Sequence, residues 1–421
     1  MERSYPQFTV TEKAERSIRA GHPWVYDTEL LAGEAPDGAL ADVMSRKGRW
    51  LGTALYNSRS KIRLRVISRN TNDDFSEAFF TRRLQHAVDY RRTVMGPDFS
   101  CCRLIFGEAD FFPGLTIDRF GSVLVAQTLS LGIEQRKDML FRQLVRLLRE
   151  SGETIEALYE RNDVRIRELE GMEQGKGFYT MEGLRTDLPG VTEICENGIL
   201  YEVDYVNGQK TGFFLDQKYN RLAAARLAPG RRVLDCFTHT GAFALNAAKA
   251  GASHVCAVDV SADALAMAKR NADRNGLTGA MSFREANVFE LLTAMGEAKN
   301  REYDYIILDP PAFTKSHGTV HSAERGYHEI NRRAMQLLPR GGYLATCSCS
   351  HFMTEELFCR MLQHAAADAG RSLRQIEARQ QSPDHPILWN VPETNYLKFY
   401  LFQVVKQKPE ANLRFFVCRD F

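Results

Sequence analysis

Two cysteines and one aspartate stand where apolar segments end in the second half of the chain. Asp309 begins an Asp-Pro-Pro-Ala-Phe run, and Cys347 and Cys349 lie two residues apart in a Thr-Cys-Ser-Cys-Ser run. A thiolate that attacks carbon 6 of a pyrimidine converts carbon 5 into a nucleophile that can accept a methyl group. An acid near ring nitrogen 3 stabilises the charge that develops. These side chains therefore indicate chemistry at carbon 5 of a pyrimidine.

The local sequence holds the aspartate firmly but does not choose between the cysteines. The two prolines after Asp309 restrict the backbone and prevent an early helix, so the acid stays at the end of its strand. Residues i and i+2 of a strand project to one face, so alternation alone leaves both Cys347 and Cys349 open. A cysteine in a strand is usually a small buried apolar residue. Cys349 comes later and lies nearer the carboxyl end.

A second set of acids points to a nucleoside ligand. Asp235 lies near the end of the apolar run from Val233 to Phe237, and Gly241 follows in a turn before an Ala-rich helix. Asp259 ends the next apolar run, where an acid can accept hydrogen bonds from both ribose hydroxyls. Ser261 is the better candidate for capping the helix that follows. Asn287 could contact adenine or cap a helix, and both roles remain open.

The glycine pattern separates the possible nucleotides. The turn contains one glycine, and the G-x-G-x-x-G pattern that gives a pyrophosphate its room is absent. S-adenosylmethionine has no phosphate and needs no such room. The sequence therefore favours this methyl donor and disfavours a metabolic NAD enzyme.

The elements that must position these residues alternate between strand and helix from about residue 189 onward. Strands are predicted at Arg232 to Phe237, His254 to Val260, Tyr303 to Leu308 and Gly342 to Cys347, each followed by a helical segment. Such alternation builds a parallel sheet covered by helices on both faces, with ligands at the carboxyl ends of the strands. Two more strands are predicted near the end, at Leu373 to Ala378 and Leu397 to Val405.

The first part of the chain has a different pattern. Residues 1–72 contain short strands broken by Gly, Pro and Asp, and residues 73–188 combine two amphipathic helices with strands in a small α+β region. Between Arg46 and Arg69 there are eight basic residues and no acidic one. The alternating segment from Lys61 to Ile67 predicts a half-buried strand whose basic face could contact phosphates. A solvated strand face is the simpler alternative.

Composition sets wider limits. The 421 residues predict two or three domains, and the net charge of +2 says little about partners. None of the nine cysteines shows the short paired spacing of a metal knuckle, so no metal site is expected and the thiols are expected to be free in a reducing compartment. The charged N-terminus and the lack of a long apolar run predict a cytoplasmic protein without membrane attachment.

An ordered series of short motifs resembles a known family. The sequence is similar to the bacterial 23S ribosomal RNA methyltransferases that make 5-methylcytosine and carry an N-terminal PUA domain. Any one motif would be unspecific, but the series spans most of the chain. It comprises Gly21-His22-Pro23-Trp24-Val25-Tyr26, Phe106 to Asp110, Pro113 to Leu115, Asp118-Arg119, Lys210 to Gln217, Asp235-Cys236-Phe237, Thr240-Gly241, Asp309-Pro310-Pro311, Arg325-Gly326-Tyr327 and Ser348-Cys349-Ser350.

This resemblance implies a fold and a role for individual residues. The implied fold is a PUA-like domain at 1–72, an α+β middle domain at 73–188 and a class I, Rossmann-like methyltransferase domain at 189–421. Cys349 matches the family nucleophile, and Asp309 matches the acid that faces the base and borders the donor pocket. Positions lining the S-adenosylmethionine pocket match Gln217, Asp235, Phe237, Gly241 and Asp259. The resemblance also implies 23S ribosomal RNA as partner and is compatible with a homodimer.

Two departures and two alternative functions accompany this resemblance. Asn287 stands where the family usually has aspartate, and His351 stands where glycine is common. An Asp-Pro-Pro-aromatic run also resembles the motif of amino- or ring-nitrogen methyltransferases, which need no cysteine, so the requirement for Cys349 distinguishes the two reactions. An RNA-binding protein with a vestigial methyltransferase domain would fail to bind the donor, and the intact acids argue against it.

Overall fold

The computed structural model of the protein separates into two compact units, and it describes residues 4–314 and 316–406. Of these residues, the first unit comprises those up to Tyr219 together with Gln381–Asn395. The second comprises the described residues from Asn220 to Gln380 together with those from Tyr396 onward. Among the described residues, no helix is both long enough and apolar enough to cross a membrane.

A six-stranded sheet with one helix forms the beginning of the first unit. Its elements are β1 Gln7–Val10, α1 Glu12–Arg19, β2 Trp24–Tyr26, β3 Leu30–Ala32, β4 Leu40–Met44, β5 Trp50–Tyr56 and β6 Ile62–Ser68. The strand order is β2-β6-β5-β4-β1-β3. Thr11 caps α1 by accepting a hydrogen bond from the Ala14 amide. The short strands predicted in this region therefore form one sheet.

The predicted basic face of β6 is wrong in one respect. Arg65 is buried, and its guanidinium lies 2.7 Å from Glu170 and 3.6 Å from Glu108. The strand pairs with β2 on one side and β5 on the other, so its second half is buried on both faces. The side chain of Arg65 is therefore used in ion pairs inside the unit and cannot contact phosphates.

The remainder of the first unit is an α+β layer. It contains α2 Glu77–Met95, β7 Cys101–Phe106, β8 Leu115–Phe120, β9 Val123–Thr128, α3 Leu131–Glu134, α4 Lys137–Glu150, β10 Ala157–Asn162, α5 Ile166–Leu169, β11 Gly175–Phe178, β12 Val191–Glu196 and β13 Ile199–Asp204. Strands β7 to β11 form a sheet in the order β11-β10-β9-β8-β7, and β12 and β13 form a hairpin. Leu84 of α2 and Leu144 of α4 share one apolar core, as their helical spacing predicts.

The position of the hairpin bears on the predicted domain boundaries. The sequence assigns residues 189–421 to one domain, whereas the division into compact units places β12, β13 and the segment Gln381–Asn395 in the first unit. Hairpins and returning loops carry weak sequence signals, because their assignment depends on what they pack against. The division at 72 and 188 remains a prediction.

A seven-stranded sheet with helices forms the second unit, and the first two residues of its first helix, Lys218 and Tyr219, belong to the first unit. The elements that follow the hairpin are α6 Lys218–Ala225, β14 Arg232–Cys236, α7 Ala242–Lys249, β15 His254–Asp259, α8 Ala262–Arg274, β16 Met281–Glu285, α9 Val288–Glu297, β17 Tyr305–Leu308, α10 Val320–Leu337, β18 Tyr343–Ser348, α11 Glu355–Asp368, β19 Arg371–Arg379 and β20 Lys398–Lys406. The sheet order is β16-β15-β14-β17-β18-β20-β19, with β20 antiparallel to both neighbours.

This order creates a crevice at the carboxyl ends of the central strands. The chain runs outward from β14 through β15 to β16, then returns to β17 on the other side of β14. Ligands bind in open α/β sheets at such a reversal, because the connecting loops diverge there. The ends of β14, β15, β17 and β18 carry most of the predicted site residues, so the fold brings them to one edge of the sheet.

Candidate active site

The turn after β14 has an unusual backbone. Phe237, His239 and Gly241 adopt φ values of 63°, 51° and 83°, in the left-handed region that non-glycine residues rarely occupy. A Cβ atom on Gly241 would stand 2.9 Å from the Cβ of Ala268, so α7 and α8 approach too closely for a side chain there. Strain of this kind clusters at ligand sites, and here it shapes the turn at the carboxyl edge.

Asp235, at the end of β14, stabilises this turn through hydrogen bonds. Its carboxyl group is fully buried, and one oxygen accepts hydrogen bonds from the Thr238 hydroxyl and the Ala244 amide. The other oxygen has no hydrogen-bond partner within the described part of the chain. Burial raises the pKa of Asp235 to about 7, with a further increase from nearby Asp309. The acid therefore fixes the backbone that leads to Phe237.

Asp259 lies at the end of the next strand, where the sequence predicts a contact with ribose. It is half-buried, and its two oxygens accept the backbone amides of His239 at 2.8 Å and Ser261 at 3.0 Å. A carboxylate offers about four lone-pair sites, so two further hydroxyls can still be accepted. Ser261 caps α8, as predicted, by accepting from the amide of Ala264. With one glycine in the turn and a carboxylate beside it, these residues fit S-adenosylmethionine.

Asn287 and Gln217 are two further predicted donor contacts, and they lie in different units. Asn287 is exposed and caps α9, because its Oδ1 accepts the Phe289 amide at 2.9 Å. Its amide nitrogen is a donor that could serve a ring nitrogen of adenine. Gln217 lies in the first unit, in the short helix Leu215–Gln217, and its side chain is buried. The helix cap is the observed role of Asn287, and the adenine contact remains a prediction.

The ends of β17 and β18 join through Asp309 and Cys347. The Cys347 thiol is 1% exposed and donates a hydrogen bond to Asp309 Oδ1 at 2.9 Å, while its sulfur lies 3.5 Å from the Leu308 carbonyl oxygen. The Asp309 amide donates to the carbonyl of Cys236 on β14 at 3.4 Å. Cys347 therefore orients the aspartate from inside the sheet.

Cys349 occupies a different position two residues later. It is half-buried, whereas the serines on either side are buried. Ser348 and Ser350 both contact the Tyr327 hydroxyl, at 3.0 and 3.2 Å. Burial raises the pKa of Tyr327 to about 12 and keeps it protonated. The tyrosine thus holds both neighbours of Cys349 and fixes the strand end that presents the thiol.

The Asp-Pro-Pro-Ala-Phe segment packs against α10, the helix that contains Tyr327. The Phe313 ring lies 4.6 Å from the Tyr327 ring, and a Cβ on Gly326 would meet Phe313 at 3.2 Å. Gly326 and Tyr327 therefore connect the loop after β17 to the end of β18. The sequence contains this Arg-Gly-Tyr motif but does not reveal its role, because the contact joins residues that are far apart in the chain.

Lys398 is a further residue that the sequence does not mark. It begins β20 and pairs in register with Ser348 of β18. Its side chain is buried, and its ammonium group reaches the carbonyl oxygen of Ser350 at 2.7 Å. The available signal is a lysine near the start of the mainly apolar strand predicted from Leu397 to Val405, where a charge is costly unless it has a partner.

Comparison with known proteins assigns both parts of the chain. Residues 177–403 match the family model of S-adenosylmethionine-dependent methyltransferases, and residues 8–69 match the model of a PUA-like domain. These matches confirm the predicted fold class and S-adenosylmethionine as the cofactor.

Individual relatives are similar to this chain over nearly its whole length. The chain is 40% identical over 395 residues to ribosomal RNA large subunit methyltransferase I of Escherichia coli, covering 93% of this chain and 97% of that protein. The protein of the same name in Shigella dysenteriae serotype 1 is 39% identical with the same coverage. A solved chain from Streptococcus mutans, assigned as an S-adenosylmethionine-dependent methyltransferase, has the same fold, with a TM-score of 0.79 and 22% identity over 94% of this chain and 99% of that one. The chain therefore belongs to the family of S-adenosylmethionine-dependent methyltransferases with an N-terminal PUA-like domain, which includes ribosomal RNA large subunit methyltransferase I.

Proposed function

We propose that the protein methylates carbon 5 of a cytosine in 23S ribosomal RNA through a covalent bond from Cys349. The relatives that share 40% of its residues are named as large-subunit ribosomal RNA methyltransferases. The observation that carries the carbon-5 assignment is the half-buried thiol of Cys349 directly after β18, next to β17, which Asp309 directly follows. A nitrogen methyltransferase would need no thiol at this position.

In the proposed reaction, Cys349 acts as the nucleophile and Asp309 stabilises the charge on the base. The Cys349 thiolate attacks carbon 6 of the cytosine, and the electrons of the 5,6 double bond move into the ring. Asp309, held by Cys347, acts in its acid form: its O–H donates a hydrogen bond to ring nitrogen 3 and stabilises the negative charge that develops there. Bound S-adenosylmethionine supplies an electrophilic methyl group, which carbon 5 accepts. Loss of the carbon-5 proton to water returns the electrons, breaks the carbon–sulfur bond and releases the Cys349 thiolate.

S-adenosylmethionine would be bound at the carboxyl ends of β14 and β15. In this proposal Asp259 accepts the ribose hydroxyls, and Phe237 and Gly241 shape the wall of the pocket. Asp235 acts through the turn that it supports, and Asn287 contributes an amide at the adenine. Gln217 is carried over from the family resemblance alone.

RNA would be bound by the first unit, which contains the PUA-like domain. Six of the eight basic residues between 46 and 69 are exposed: Arg46, Lys47, Arg49, Arg59, Lys61 and Arg69. A cavity of about 420 Å³ in the same unit is lined by the cations Arg69 and Arg83 and also by the acids Asp73 and Glu108, so the exposed run between 46 and 69 is the stronger argument. Exposed cations without intervening acids attract a phosphate backbone irrespective of base sequence. A homodimer and a cytoplasmic location remain predictions.

A mechanism-based trap tests the proposal. An RNA substrate with 5-fluorocytosine at the target should form a stable adduct with the full-length protein and S-adenosylmethionine, because fluorine cannot leave carbon 5 as a proton does. Mass spectrometry of peptides should locate the bond at Cys349. Cys349→Ala should abolish both the adduct and turnover. The target itself would be identified by mass spectrometry of 23S ribosomal RNA from cells with and without the protein.

The matched control is Cys347→Ala, which removes the buried thiol and leaves the half-buried one. It should still form the adduct, with reduced activity because Asp309 loses its hydrogen bond. An adduct at Cys347 would move the nucleophile to that residue. An active Cys349→Ala protein would instead favour a nitrogen methyltransferase, and a wild-type protein that binds no donor would favour the vestigial RNA-binding protein.

A further inference from the structure

Lys398 of β20 contacts the segment Ser348-Cys349-Ser350 at the end of β18. It stands directly opposite Ser348 in the antiparallel pairing of β18 and β20. Its side chain is 6% exposed, and its Nζ donates to the carbonyl oxygens of Ser350 at 2.7 Å and Tyr396 at 2.8 Å. Because Ser350 directly follows Cys349, these hydrogen bonds tie the turn to the start of β20.

The surroundings of this ammonium group are mainly neutral. Both of its hydrogen-bond acceptors are backbone carbonyls, which carry partial rather than full charges. Burial lowers the pKa of Lys398 to about 8, and the Cys349 thiol is the strongest of the nearby groups that favour the charged form. Lys398 and Cys349 are therefore within electrostatic reach of each other at the site already described.

We infer that Lys398 is a positioning residue that holds the Cys349 turn through Ser350 and stabilises the thiolate form of Cys349. This inference rests on the proposed function, since it assigns Lys398 to the same nucleophile. A cation beside a cysteine lowers the pKa of the thiol, because the thiolate gains an attractive interaction that the thiol lacks. Partial burial strengthens this interaction relative to one in water.

The proton balance of the activation is simple. The S–H bond of Cys349 breaks and its proton passes to solvent water, while the Lys398 ammonium keeps all three of its protons. The sulfur lone pair then forms the bond to carbon 6. When that bond breaks at the end of the cycle, the electron pair returns to sulfur beside the same ammonium group. Other titratable groups lie around this pair and affect its pH dependence. Cys347, Glu355 and Tyr327 interact with Lys398 or Cys349 directly, whereas Asp309 contacts Cys347 and Tyr400 contacts Glu355.

Alkylation of Cys349 as a function of pH tests this inference without requiring catalysis. Full-length protein would be treated with iodoacetamide between pH 5.5 and 9.5, and the rate at Cys349 read from its peptide by mass spectrometry. Lys398→Met should raise the apparent pKa of the thiol by about one unit and slow alkylation at pH 7 roughly tenfold. Lys398→Arg should keep most of the wild-type profile, because it preserves the charge.

A second buried lysine provides a matched control. Lys218 of the first unit is 1% exposed and donates to the Cys101 carbonyl at 3.2 Å, but it also pairs with Asp98. Lys218→Met should leave the Cys349 profile unchanged. If Lys398→Met fails to fold, Lys398→Gln keeps a hydrogen-bond donor without the charge and should show the same upward shift.

Two results would overturn the inference. The first is a folded Lys398→Met or Lys398→Gln protein that binds S-adenosylmethionine and alkylates at Cys349 with the wild-type dependence on pH. The second is a Lys398→Arg protein in which the apparent pKa of the Cys349 thiol rises as much as it does in Lys398→Met. Failure of the proposed function is distinguishable, since it would appear as absent trapping of 5-fluorocytosine while the thiol still depends on Lys398. Trapping at Cys349 with no dependence on Lys398 would reject only the inference.

Discussion

Asp384 in the first unit and Asp235 in the second are both fully buried aspartates, and their surroundings favour opposite states. Burial opposes the charge on Asp384, but His385, the Arg103 amide and Ser382 lower its pKa to about 2. At Asp235, by contrast, the hydrogen bonds from the Thr238 hydroxyl and one backbone amide do not compensate for the effect of burial, and the pKa rises to about 7. The first acid is stabilised as a carboxylate, whereas the second is not.

The buried lysines show the same contrast. Burial opposes the charge on Lys218, but Cys101, Glu196 and Asp98 outweigh it and raise the pKa. Burial prevails at Lys398, whose pKa falls to about 8 in spite of Cys349 nearby. Lys218 has a carboxylate at 3.2 Å, and Lys398 donates to two carbonyls.

In the proposed function, this difference separates charged groups that stabilise the fold from ionisable groups at the active site. At Asp384 and Lys218 the charged form is favoured, as expected where buried groups have partners. At the carboxyl edge of the second unit, both groups are held where their charged forms are costly. Shifted pKa values of this kind concentrate at functional sites, since reactive groups need charge states that water alone would not provide.

The largest expected effect is at Asp235. An acid with a raised pKa contributes stability that is present below about pH 4 and lost as the pH rises through about 7. Asp235→Asn resembles the protonated acid, so it should match wild type near pH 4 and exceed it at pH 8 by up to about 4 kcal/mol. Urea-dependent hydrogen exchange of peptides from β14 and α7 would report the second unit. A difference that is the same at pH 5 and pH 8 would contradict the raised pKa.

A smaller effect of opposite sign is expected at Asp384. Its lowered pKa contributes stability that is present above about pH 4 and lost as the pH falls through about 2. Asp384→Asn should therefore reduce the free energy of unfolding at pH 7 by about 2 kcal/mol. All three tryptophans, at 24, 50 and 389, belong to the first unit, so tryptophan fluorescence in urea follows this unit. A stabilised Asp384→Asn protein would remove the contrast between the two acids.

The smallest effect on stability is expected from charges left on the surface. Arg46 and Arg49 are exposed in the turn between β4 and β5, unlike Arg65, which is buried in ion pairs. Arg46→Glu with Arg49→Glu should leave unfolding unchanged and weaken RNA binding across sequences. The salt dependence of binding should flatten by about one unit of slope for each phosphate that the variant no longer neutralises. An unchanged salt slope in filter binding would place the RNA surface elsewhere.

The carboxyl edge of the second unit was largely predictable because its signals are local. The apolar runs that end near Asp235, Asp259 and Asp309 predict parallel strands, and parallel strands bring their ends to one edge. The Ser261 cap follows from the same local reasoning. Arg65 was not predictable in this way, since alternation along β6 does not show that β2 and β5 flank the strand and bury both faces.

Local sequence patterns were sufficient to predict the central strands of the second unit, the methyl-donor class and the two cysteines that could act. Tertiary structure adds a difference in exposure between the cysteines, because it buries Cys347 against Asp309 and leaves Cys349 half-buried. The contacts of Tyr327 and Lys398 with the Ser-Cys-Ser turn also arise only in the folded chain. Residues 21 and 48 positions away must meet there, and no spacing rule encodes such a meeting because it depends on how the helices and the antiparallel β20 pack against β18.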